Sequence, residues 1–142
     1  NGGAMRKNEV ESLLQVRESL ECLCVKLVIE HSNTHELKSL QEIIDKMKVS
    51  NTPDKLSNIV FEFHHELAAI SGNMLLPLLY HSFKPESLYL WKMSCRRFGC
   101  DQLITIKTKL YEAILNKNLD KAIEITRNSV QSALKELSEY VS

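Results

Sequence analysis

An all-α fold, an antiparallel bundle of about six or seven helices, is what the sequence predicts, and three observations carry that prediction. Apolar residues recur three and four positions apart through almost every segment from Glu9 onward. Capping and breaking residues, among them Asn33, Thr52-Pro53, Gly72-Asn73 and Pro85, interrupt that period at short intervals. No segment shows the convincing apolar/polar alternation of a strand.

A long first helix starts near Glu9, carries a stripe of Leu13, Val16, Leu20, Leu23 and Leu27, and runs to about His31. Asn33 followed by Glu36 has the cap-then-acid spacing of a second helix, with Leu37, Leu40, Ile44 and Met47 on one face and an end near Val49. Thr52 caps the third and Pro53 occupies its first turn, where a missing N–H costs nothing. Leu56, Ile59, Val60, Phe63, Leu67 and Ile70 form its apolar face, and Gly72 stops it. Asn73 caps a fourth helix with Pro77 in its first turn; Pro85 breaks this helix near Phe83 or Lys84, leaving a second piece that carries Leu88, Trp91 and Cys95. Asp101 caps the next helix through Leu103, Ile106, Leu110 and Ile114, and Asn118 or Asp120 opens the last through Ala122, Thr126, Val130, Ala133 and Leu137.

The 142 residues suffice for one domain, residues 9–142, preceded by residues 1–8 as a linker or an expression remnant. Lys plus Arg number 18 and Asp plus Glu number 18, and this zero balance argues against a broad phosphate-binding surface on this chain. With no apolar run of about 18 to 20 residues and no secretion signal, the expectation is a soluble cytoplasmic protein without membrane contact. Cys22, Cys24, Cys95 and Cys100 match no usual zinc spacing and read as reduced packing thiols. No nucleophile-base pair, carboxylate pair or phosphate-cradling glycine loop is present, so neither an enzyme nor a cofactor is expected.

Several patterns in order then resemble a known family. Arg17-Glu18 with Glu21, Phe63-His64-x-x-Leu67 followed by Ile70-Ser71-Gly72-Asn73, and Ala113-Ile114 with Ala122 are together similar to the FadR C-terminal effector domain (FCD) of GntR-type bacterial transcription regulators, over roughly residues 9–137. The resemblance implies a small-molecule sensor that forms a homodimer and reaches DNA only through an N-terminal winged helix-turn-helix absent from this chain. It also implies a bundle-held divalent metal, but the positions that would supply the ligands are Val60, His64, Lys107 and Ser129. One imidazole, a hydroxyl and an ammonium are not the donor set such a cation requires, so no metal is expected.

Lys107 stands at the margin of the Ile106, Leu110 and Ile114 stripe, where a charge needs water, an acid or an anion. It either snorkels or pairs with a Glu, or it stands in for the metal and meets a carboxylate together with Arg17. The sensor reading accordingly places a small anionic metabolite, of carboxylate or acyl-CoA type, between the first and third helices and the last two. Its candidate binding residues are Arg17, His64, Trp91, Lys107 and Ser129. Plainer readings stand beside these: a core-edge imidazole for His64, packing for Trp91, Tyr89 and Met93, and no ligand role for Ser129. His65 and Glu62 point away from the stripe and should be exposed; Phe61, opposite it, is an exposed aromatic or a subunit contact. Two further functions remain open: a dimerisation-only bundle whose pocket has collapsed, and a redox sensor in which Arg96 and Arg97 activate Cys95 and Cys100.

Overall fold

The computed structural model describes residues 5–137, and among these all regular structure is helical. Seven helices follow one another: α1 (Lys7–His31), α2 (Lys38–Lys48), α3 (Pro53–Ile70), α4 (Leu76–Ser82), α5 (Lys84–Phe98), α6 (Cys100–Leu115) and α7 (Leu119–Leu137). α1 lies along α7, and α3 is the central element, packed against α1, α2, α4, α5 and α6.

Most boundaries fall where local chemistry dictates. Asn33 and Glu36 exchange backbone-to-side-chain hydrogen bonds of 3.0 Å each, ahead of α2. The Thr52 hydroxyl accepts from Lys55 N–H, and Pro53 follows in the first turn. Gly72 takes φ +78°, a left-handed conformation that ends α3. Asn73 Oδ1 then accepts from the N–H groups of Leu75 and Leu76. Pro85 divides the next stretch at Phe83, as its ring requires, into α4 and α5. Asn118 caps α7 through Lys121 N–H at 3.1 Å. Asp101, however, is not a cap: Gly99 at φ +93° joins α5 directly to α6, and Asp101 sits in the first turn, where a carboxylate favours the helix dipole. The far end of α1 is capped from a distance, since Lys117 Nζ donates to the carbonyls of Ile29 and Ser32.

The buried faces of α2, α3, α6 and α7 follow the expected stripes, Leu137 lying outside the residues whose side chains are described, but that of α1 does not. Val16 and Leu23 are 50% and 40% exposed, and Leu13, Leu20 and Leu27 are half-buried. The face that enters the core is instead Val10, Leu14, Arg17, Glu21, Cys24, Val25 and Val28. α1 has two adjacent apolar rows, and the one that is buried is interrupted by a base and an acid one turn apart. Those two side chains form a buried ion pair of 3.0 Å, which is what allows them into the interior. Phe61 is also corrected: it is buried, because α4 and the start of α5 cover it, and it meets His65, Tyr80 and His81. His65 is half-buried in that contact, whereas Glu62 is exposed and pairs with Lys46 at 2.7 Å.

Candidate functional site

α1, α3, α4, α5 and α6 each send polar side chains to one buried cluster. Arg17 Nε donates to Glu21 Oε2 at 3.0 Å, and the Tyr80 hydroxyl of α4 donates to the same oxygen. The His64 ring of α3 lies between Tyr80 and Trp91, nearly parallel to both at 5.6 Å. The Arg17 guanidinium stands 4.8 Å over the Trp91 ring. Lys107 of α6 is 2% exposed, and among the described residues no carboxylate lies within ion-pair distance of it.

The charge states follow from this packing. Burial, the largest single influence, would raise the Glu21 carboxyl, but the Arg17 guanidinium, His64, Lys107 and the Tyr80 hydroxyl together outweigh it and hold the group down at about 2. Burial, then the Lys107 ammonium, pushes the His64 imidazole well below its ordinary range, so the ring is neutral at pH 7. Its Nε2 has no hydrogen-bond partner. Burial lowers Lys107 to about 8, with Glu21 opposing the shift, and the side chain remains mainly an ammonium at pH 7. Two cations, Arg17 and Lys107, therefore stand against one carboxylate in the interior.

Beside this cluster opens a cavity of about 410 Å³ bounded by α1, α5, α6 and α7. Arg17, Trp91, Lys107 and Ser129 line it, so four of the five sequence candidates share one space. His64 does not: it contacts Trp91, itself a wall residue, and α5 supplies the wall that α3 was expected to form. Tyr89 and Met93 are half-buried and pack against a satellite cluster of Val10, Leu14, Leu90 and Val130. Glu21 and Tyr80 join the cluster without having been singled out as binding residues. The Arg17/Glu21 spacing of one turn on the Leu14 row was a usable signal for the first; Tyr80 comes from far along the chain and left none.

A cavity of this size is of the order expected for small-molecule sites. The family's metal does not fit these residues. Val60 is wholly buried and apolar, the only imidazole faces an ammonium, and Ser129 Oγ donates to Thr126 O at 3.0 Å. Among the described residues no three His, Cys, Asp or Glu side chains converge. The Cys95 thiol is not activated: burial, then Cys100, pushes it up to about 12, the opposite of what a reactive thiolate needs, and Arg96 opposes this only in part. No helix among the described residues is long and apolar enough to cross a membrane.

Comparison with known proteins agrees with this architecture. A solved Streptococcus agalactiae GntR superposes with a TM-score of 0.69 at 21% identity, covering 89% of this chain and 58% of that one. This chain thus spans less than two thirds of that protein's length. No curated protein matches the sequence. The FCD domain family matches residues 12–132, a span from α1 into α7 that holds the whole buried cluster and most of the cavity lining. By that match, the chain belongs to the FCD domain family.

Proposed function

We propose that this chain is the effector-sensing domain of a cytoplasmic GntR-type transcription regulator and that it binds a small anionic metabolite, without a metal, in the cavity between α1, α5, α6 and α7. The observation that carries the reading is the excess of cationic charge at the inner end of the cavity. Arg17 is neutralised by Glu21, but Lys107 is buried with no carboxylate in ion-pair range among the described residues. A buried ammonium in that position is stabilised by an incoming anion, which replaces the hydration it has lost. Lys107 is the primary anchor, Arg17 the second, and neutral His64 supports the Trp91 wall.

DNA contact belongs to an N-terminal winged helix-turn-helix outside this chain, and ligand occupancy is read out through the geometry of a homodimer. The apolar residues Met74, Leu75, Leu78 and Leu79 on and before α4 support such an association, since all four are exposed. Thermal-shift measurements with a panel of small carboxylates test the anion reading. At least one should stabilise the native chain and lose its effect on Lys107→Met; if none shifts the native protein, the reading fails.

A further inference from the structure

The lining of the cavity is graded from its floor to its mouth. The floor is fully buried and holds both cations, Arg17 and Lys107, among Leu90, Trp91, Leu103 and Val130. Above it lies a half-buried sleeve of Phe98, Ile106, Ile125 and Ala133, in which the only hydroxyls are Ser94 and Ser129. Ser129 already donates its proton to Thr126 O. Glu136, half-buried, adds one carboxylate to the lining, and the other polar groups, Lys109, Lys121 and Glu124 among them, are exposed at the mouth, where Lys121 and Glu124 pair with each other at 2.9 Å.

From this gradient we infer that the ligand is a free monocarboxylate with an apolar tail, bound carboxylate-first; this inference rests on the anion reading above. The floor carries one positive charge beyond what Glu21 neutralises, which matches a single carboxylate. A second carboxylate on the same ligand, or a run of hydroxyls, would lie against Phe98, Ile106, Ile125 and Ala133 with few partners, and burying a polar group without a partner is costly. A thioester of the same acid brings no anion to the floor: its acyl end would press against Lys107 and Arg17, leaving the ammonium unmatched. The sleeve is therefore selective for the tail and the floor for the free acid.

Titration calorimetry of the whole chain at pH 7 with straight-chain alkanoates of increasing length, the α,ω-dicarboxylates of equal length and the matching CoA thioesters separates these classes. Alkanoate affinity should rise about fourfold per added methylene until the sleeve is filled. Dicarboxylates and thioesters of the same length should bind at least about tenfold more weakly. Ile125→Ser, at a half-buried position on the edge of the core and with helicity checked by circular dichroism, should flatten the dependence on chain length, while Lys107→Met should weaken all lengths alike. Tighter binding of a dicarboxylate or thioester, or affinity independent of tail length, overturns the inference while leaving the anion reading in place. Failure of every carboxylate to bind the folded native chain overturns both.

Discussion

Lys107 and Glu21 show how the same burial gives opposite outcomes for two charged residues. Glu21 accepts from both Arg17 and Tyr80, so its charge is held in the interior and its carboxyl sits at about 2. Because the folded value lies below the ordinary 4.5, Glu21 contributes stability that is fully present above pH 4.5 and is lost as pH falls towards 2. Glu21→Gln leaves the Arg17 guanidinium buried without its counter-charge, and a loss of about 3–5 kcal/mol at pH 7 is expected in urea unfolding. That deficit should narrow as pH falls from 4.5 towards 2, as the native carboxyl itself becomes protonated. Lys107 behaves inversely. Its folded value of about 8 lies below 10.5, so the unfolded chain binds the extra proton, and the unliganded domain gains stability as pH rises from about 8 to 10.5. Lys107→Met should remove this rise and stabilise the unliganded domain at pH 7 by about 1–3 kcal/mol, visible as a higher Tm. A destabilised Lys107→Met protein would mean that the ammonium is matched within the fold rather than awaiting an anion.

At the scale of elements, what was legible in the sequence depended on whether the signal was local. Thr52-Pro53, Gly72, Asn73 and Pro85 act on their own neighbours, and each marks a helix boundary where the chain indeed turns. α1 was misread because its two apolar rows are adjacent, and the choice between them is made by α3, α6 and α7 rather than by α1. The unbroken Leu13–Leu27 row is the more regular pattern, yet the row that is buried contains Arg17 and Glu21, whose mutual neutralisation is a pairwise property that residue-by-residue hydropathy does not register. The two rows make different predictions. Leu14→Ala, at a position 1% exposed, should cost about 2–5 kcal/mol in chemical denaturation. Val16→Ala, half exposed, should change stability by no more than about 0.5 kcal/mol. Phe61 fails for the same reason as α1: α4 and α5 cover it, and neither is encoded near it in α3. On α4 itself, Leu78 is 68% exposed, and the homodimer proposed above predicts that light scattering finds the native chain dimeric and Leu78→Asp monomeric, without loss of helicity.

For the molecule as a whole, the seven-helix order and the family were accessible because periodicity and motif order are distributed along the entire chain. The cavity was only partly accessible. Lys107 was visible as a charge at the margin of an apolar stripe, Arg17 and Ser129 through the family resemblance, and Trp91 only as a large aromatic, but their convergence on one space, the exclusion of His64 from its wall, and the gradient from charged floor to apolar sleeve arise from the packing of α1, α5, α6 and α7. The helical framework of the family is thus retained, and on the proposed reading the Lys107 ammonium stands where the resemblance implies a metal ligand. The most direct test is titration calorimetry of a stabilising monocarboxylate with the chelator-treated native chain and with Lys107→Met. The account predicts that binding persists undiminished after chelation, weakens as pH rises through about 8 where Lys107 loses its proton, and falls by at least about tenfold in the variant. Binding that disappears on chelation and returns with a divalent metal, or that is indifferent to Lys107→Met, would contradict it.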